Sequence, residues 1–398
     1  MATARPKGRG YEIRVSMGYD MNGRKIVKSK IWIPPKNLTP KQLQKALERE
    51  KVLYEEQVKT GANPDCNIKF AQFVDMWVKD YGERFLAPKT LYRHFDYLKR
   101  INQAIGHIKL KDLQPIHLNA FYKNLAEEGV SMKRKRDENG NIIGDGKLAT
   151  KTILEHHRTI STILSVAVKW GLITDNVARR ADPPKPEGKE IEFLNESEIK
   201  ELIKALRQEP IQYQTMVMIA IYTGMRRGEL FGLEWKDIDF DNKTLSIIRT
   251  SQYIGNKRII TKEPKTKSSI RTLTISDTLI KQLRRYKVWQ NQERLKVGAD
   301  WVDKDRLFTQ WNGEPMYPDT LTKWFNQFLK RHNLRHVTLH SVRHSNATLL
   351  IAEGTDIRTV SNRLGHAQTS TTLNIYTHAL TSKDKQAADT LDDVLAIG

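Results

Sequence analysis

The chain has 398 residues, 28% charged and 39% hydrophobic, which describes folded domains, two or three by length, and excludes a disordered chain or a bundle of membrane spans. Its net charge of +21 asks for polyanionic partners, nucleic acid foremost, although a ribosome-like or membrane-surface role would suit the same excess. The single cysteine, Cys66, excludes a disulfide framework or a Cys-based zinc site, and with no long apolar run or signal-peptide segment a reducing cytoplasm is the expected compartment.

The first 45 residues hold eleven Lys or Arg against two acids. Tyr11–Ser16 alternates and Lys25–Ile33 has strand composition, with a turn signal at Asp20–Gly23 between them, so two or three twisted strands are expected before Pro34-Pro35. Thr39 is placed to cap a helix with Pro40 in its first turn, in which Leu43, Leu47, Tyr54 and Val58 share a face and cover the sheet. A linker follows at Thr60–Pro64. Helical patterns then run over Phe70–Tyr81, Thr90–Ile101, His117–Ala126 and Thr150–Trp170. Between the last two, Lys133–Gly146 is polar and turn-rich and reads as an inserted hairpin, its basic run either solvated or touching phosphate. Prolines and charges over 179–189 mark a second linker. Beyond it come helices at Asn195–Glu209 and Tyr213–Thr223, strands at Thr244–Thr250, Arg258–Thr261 and Ile270–Ile275, and helices from Asp277 onward.

The expected fold class is therefore α+β multidomain. A small three-stranded-sheet-plus-helix N-terminal domain (residues 1–64) precedes an all-α domain (65–180), a linker (181–189) and a mainly α domain with a small antiparallel sheet and a C-terminal tail (190–398).

Thr223-Gly-Met-Arg-Arg-Gly-Glu-Leu230 sets Arg226 just after a glycine turn with Glu229 three residues on, on neighbouring positions of one helical face. Taken alone this is a structural ion pair at a helix start. Pro264–Arg271 puts Lys265 in or beside a turn between strand-like runs, where an ammonium can donate to phosphate or protonate a leaving oxygen; alone, it is an ordinary charged hairpin tip. His332, His336, His340 and His344 recur every fourth residue. A metal stripe fails because a helix capped by Thr338 starts only near Leu339, no HExxH is present, and nearby acids and cysteines are missing. Instead, His340 and Arg343 lie on one helical side as a phosphate clamp. Leu364-Gly-His366 follows a helix, with Tyr376-Thr-His378 ten residues beyond that histidine. In company with the cations, the Tyr376 phenol can attack phosphorus, because they lower the cost of phenolate and stabilise the pentacoordinate charge.

Taken in order, Thr-Gly-Met-Arg-x-Gly-Glu-Leu, a hairpin lysine, His-x-x-Arg-His, Leu-Gly-His and Tyr-x-His resemble the tyrosine recombinase (phage integrase) family across residues 190–380. The basic N-terminus is similar to the arm-binding domains of integrases from phages and conjugative transposons, and the helical middle to their core-binding domain. The resemblance implies that Arg226 and Arg343 hold the non-bridging oxygens of a scissile phosphate, with His340 assisting the clamp and proton transfer. It further implies that Lys265, or in its place Lys267 or Lys262, protonates the departing 5′ oxygen, that His366 hydrogen-bonds the phosphate, and that Tyr376 forms a 3′-phosphotyrosyl link. Glu229 supports the first arginine. Arg14, Lys28, Lys30, Thr90, Arg93 and Lys151 are candidate DNA contacts. No metal and no other cofactor is expected. The implied partners are double-stranded DNA at core and arm sites, a homotetramer assembled on it and an excisionase-type directionality factor, with no membrane. The stretch Thr381–Gly398 is amphipathic, to pack on a neighbouring subunit or fold back in cis. A type IB topoisomerase and a non-enzymatic DNA-binding regulator are the competing readings; the separate basic N-terminal reader speaks against the first.

Overall fold

The computed structural model describes residues 2–373 except 20–22, 36–37, 61–66, 131–134, 137–141, 144–145, 189–191, 256–257, 265–268, 367 and 371. The Asp20–Gly23 turn, the 60–64 linker, most of the 133–146 insertion, Lys265, Lys267, Tyr376, His378 and the tail from Thr381 fall wholly or largely outside those residues. Two compact units divide after residue 188.

The first unit contains two separate hydrophobic cores. In one, strands β1 (Thr3–Lys7), β2 (Gly10–Tyr19) and β3 (Lys25–Trp32) pair antiparallel in that order. Alternation buries Ile13 and Val15 on one face, and helix α1 (Pro40–Thr60) lays Leu47, Tyr54 and Val58 over it. Strand β1 has no apolar alternation to announce it. Its Pro6 is tolerated because β1 is an edge strand, where a missing N–H breaks no ladder on the outer side.

The second core is helical. Helix α2 (Phe70–Trp77) runs through a π turn at Val78–Gly82 into α3 (Glu83–Phe85), followed by α4 (Pro88–Ile105), α5 (Pro115–Leu125) and α6 (Thr150–Lys169). Phe70, Phe73, Trp77, Ile101, Leu118 and Ile163 fill it. Helices α4 and α5 each begin two residues earlier than expected, at a proline, since the first helical position needs no N–H and favours proline's fixed φ. The expected hairpin is present as β4 (Lys135–Arg136) paired with β5 (Ile142–Ile143). A 3₁₀ turn at Val177–Arg180 buries Ala178, so packed structure reaches into the first residues of the stretch read as linker from 179.

The second unit opens with α7 (Glu196–Leu206), capped by Asn195 and Glu198, and α8 (Ile211–Thr223). Helix α8 is apolar all round, which requires a site enclosed on every side, and it packs on α10 (Asp277–Val297) and α12 (Leu339–Ala352). Each fully buried side chain such as Ile219 contributes roughly 1.5–3 kcal/mol. Between them lie α9 (Arg227–Leu230), β6 (Ile238–Asp239), β7 (Thr244–Ile247), β8 (Thr250–Ile254), β9 (Arg258–Lys262) and β10 (Arg271–Thr274). Two further helices among the described residues are α11 (Pro318–Arg331) and α13 (Ile357–Leu364).

The run expected as one strand over Thr244–Thr250 is two. β7 sits at the centre of a β10-β7-β6 sheet, whereas β8 forms a hairpin with β9. Arg249 separates them, turning inward so that Nη1 reaches Asp237 at 2.5 Å and Glu234 at 3.0 Å.

Candidate active site

Two helix ends carry the site, and both need glycine. Helix α8 stops at Gly224 (φ +60°) and α13 at Gly365 (φ +67°), each in the left-handed region that ends a helix. A Cβ on Gly224 would lie 2.6 Å from Leu364 Cδ2 and 2.8 Å from Asn346 Oδ1. These turns deliver Arg226 and His366 to one place. Helix α12 starts where expected, with Thr338 Oγ1 accepting from the Ser341 N–H at 3.0 Å, and supplies His340, Arg343, His344 and Asn346.

Carbonyls at the ends of α8 and α13 hold both arginines, as the negative end of a helix dipole favours. Arg343 donates from Nη1 to Gly224 O at 2.6 Å and from Nη2 to Leu364 O at 2.8 Å. Arg226 Nη2 donates to Gly365 O at 3.2 Å, while its Nη1 meets Glu229 Oε1 at 2.8 Å and its backbone N–H meets Glu229 Oε2 at 2.9 Å. The Arg226–Glu229 pair expected from the sequence is thus formed. Arg226 keeps 41% of its side chain open to solvent. Arg343 is only 2% exposed, so it sits beneath the surface rather than on it.

The histidines surround this charge. His340 and His344 stack edge to face with ring centroids 4.6 Å apart. Burial first, then His340 and Arg343, pushes His344 down to about 4. Burial, then Arg343, Arg226, His344 and Arg271, holds His366 at about 4 as well. His340 is lowered by the same cause and by Arg343 and Arg226. All three are neutral at neutral pH. Nδ1 of His366 lies 2.8 Å from the Thr372 hydroxyl; when that hydroxyl donates, the ring proton stands on Nε2, ready to donate outward. His332 instead closes α11 and contacts Glu209 at 2.9 Å, so the four-residue histidine series is divided between elements and forms no stripe.

These shifts carry a pH dependence. An unfolded histidine takes a proton near 6.5, whereas folded His344 and His366 resist until about 4. The unfolded state therefore binds more protons in that window, and stability falls as pH drops through it. We expect the denaturation midpoint to decline from pH 6.5 toward 4, and the decline to flatten in His366→Asn; an unchanged slope in that variant would contradict the assignment.

Sequence reasoning missed Arg271, whose Nη2 meets Glu229 Oε2 at 2.9 Å with both side chains almost wholly buried. A signal was present: Arg271 alternates with Leu273 of β10 and with Ile275 just past its end, both buried, and so shares their inward face. Arg363, which reaches Tyr222 O at 3.1 Å, was also missed. Lys262, one of the two alternative lysines, ends β9; Lys265, the other alternative Lys267, and Tyr376 lie outside the described residues.

The candidate DNA contacts do not share one surface. In the β2–β3 register Ile13 faces Lys30, Val15 faces Lys28, and Arg14 faces Ser29, so Arg14 points to the opposite side of the sheet from the two lysines. Arg14 meets Glu12 at 3.1 Å on the open side, together with Arg5 and Lys7. Lys30 is tied to α1 through Glu50 at 2.7 Å and lies over the Tyr54 ring. Arg93 is exposed on α4 beside Tyr97, Thr90 is half-buried in that helix's first turn, and Lys151 is exposed in the first turn of α6.

The second unit thus gathers two arginines, a buried glutamate and three histidines where the ends of α8, α12 and α13 meet, and no group of three or more His, Cys, Asp or Glu placed to hold a metal ion is found among the described residues. Residues 192–383 match the phage integrase family, and residues 69–126 match the N-terminal SAM-like domain of phage integrases. A tyrosine recombinase XerC-like protein of Caldanaerobacter subterraneus is 29% identical, covering 96% of each chain. The ICEBs1 integrase of Bacillus subtilis is 28% identical over 97% of each. The Tn1549 transposon integrase, solved in complex with transposon right end DNA, shares the fold at a TM-score of 0.64 and 19% identity, over 81% of this chain and all of that one. The chain belongs to the tyrosine recombinase (phage integrase) family. No helix among the described residues is long and apolar enough to cross a membrane.

Proposed function

We propose that the chain is the integrase of a mobile genetic element, which cuts and rejoins double-stranded DNA through a 3′-phosphotyrosyl link at Tyr376. The observation that carries this reading is the convergence of Arg226, Glu229, His340, Arg343 and His366, drawn from three distant stretches, on the adjoining ends of α8, α12 and α13. The Tyr376 oxygen attacks the scissile phosphorus, the bond to the 5′ oxygen breaks, and Lys265 gives that oxygen a proton. His340, neutral at working pH, accepts the phenolic proton. Arg226, the more open guanidinium, grips a non-bridging oxygen; Arg343 supplies positive potential from below, and His366 donates from Nε2. The phosphotyrosine keeps the ester's energy for rejoining to another strand, in which the free 5′ hydroxyl attacks and the phenol leaves.

Residues 1–64 are assigned to arm sites, 65–180 to the core site and 190–398 to cleavage, in a homotetramer on DNA. A suicide duplex that traps the cleaved strand tests the chemistry. Wild-type protein is expected to form a covalent adduct that survives SDS, and Tyr376→Phe to lose it while still binding the duplex. An adduct of equal yield in Tyr376→Phe would remove the nucleophile from this reading. Joining between two duplexes, rather than relaxation of one by a monomer, separates a recombinase from a topoisomerase.

A further inference from the structure

We propose that Arg271 is a positioning residue for strand cleavage, holding the Arg226 guanidinium and the Gly365–His366 turn in one rigid frame through the Glu229 carboxylate. The proposal rests on the reading of Arg226 as a phosphate clamp. Arg271 opens β10, and its guanidinium faces three ways. Nη2 binds Glu229 Oε2 at 2.9 Å, Nη1 binds Ser269 O at 3.0 Å, and Nε binds Arg363 O at 2.7 Å. Glu229 completes the link by taking the Arg226 backbone N–H on the same oxygen and the Arg226 Nη1 on the other.

Two further facts tie Arg271 to the site. A Cβ on Gly365 would lie 2.7 Å from Arg271 Nη1, so the residue before His366 is glycine partly because this guanidinium fills the space. Glu229 is almost wholly buried; burial would raise its carboxyl, and Arg271 first, then Arg226, overcomes that and keeps it ionised. Only a planar fork makes all three contacts at once. A lysine would keep the charge that Glu229 needs and lose the geometry.

The test uses the full chain and measures adduct formation on a suicide duplex, duplex Kd and the thermal midpoint. With Arg271→Lys we expect adduct formation to slow about 100-fold, as for a group displaced by about an ångström, with Kd within about twofold and the thermal midpoint unchanged. A duplex with a methylphosphonate at the scissile position, both diastereomers, supplies the readout that a merely structural role would not move. With one charge removed, guanidinium alignment matters less, and the penalty should shrink at least about tenfold. Equal penalties on both duplexes, or a wild-type rate in Arg271→Lys, would overturn the proposal. Absence of an adduct from wild-type protein would instead refute the clamp reading itself. If Arg271→Lys does not fold, Glu229→Gln with Arg271→Met removes both charges; lost cleavage in that folded protein supports the proposal, and a wild-type rate or failure to fold overturns it.

Discussion

Arg226→Ala is expected to slow covalent cleavage by about 10²–10³-fold, the usual cost of one preorganised donor to a charge that develops in the transition state. Duplex binding should stay within a few-fold, because a basic surface of net charge +21 supplies many other phosphate contacts. The variant should also fold. Arg226 is 41% exposed, and removing it leaves the Glu229 carboxylate still paired with Arg271, so no buried charge is stranded. Adduct kinetics beside a binding isotherm decide the matter. If both fall by the same factor, Arg226 serves architecture rather than the reacting phosphate.

Gly224→Ala is the second large effect, and it acts on stability. The residue sits at φ +60°, which costs an alanine roughly 1–2 kcal/mol. Its added Cβ would also press on Leu364 and Asn346 at the distances given above, and overpacking a tight site costs a further 1–3 kcal/mol or so. Neither neighbour can easily yield: Leu364 is core between α12 and α13, and Asn346 Nδ2 is bound to Ile221 O at 2.7 Å. The Gly224 carbonyl also orients Arg343, so cleavage should fall with stability. Urea unfolding should show a lower midpoint for the transition of the second unit; an unchanged midpoint would mean the turn relaxes freely.

Much of this was open to reading from the residues. Alternation at Tyr11–Ser16, helical spacing in α4 and α6, and the Thr338 cap each depend on neighbours within a few positions, and an element of the expected type forms over each pattern, β2 and α4 extending beyond the expected bounds. The family is legible for a related reason. Its site is made of short stretches whose internal spacing survives in one dimension, so five of them in order identify the chemistry before any distance is known.

What the residues could not disclose were properties of approach between distant stretches. The break after Ile247 depends on Arg249 finding Asp237 and Glu234, and the edge strand β1 exists only because β2 offers it a partner. The separation of Arg14 from Lys28 and Lys30 follows from register, which a list of basic residues does not contain. The burial of Arg343, the openness of Arg226 and the bridging place of Arg271 were likewise set by tertiary structure. A guanidinium's role is fixed by which carbonyls and carboxylates surround it, and the farthest of these partners lies 119 residues away for Arg343, 139 for Arg226 and 92 for Arg271.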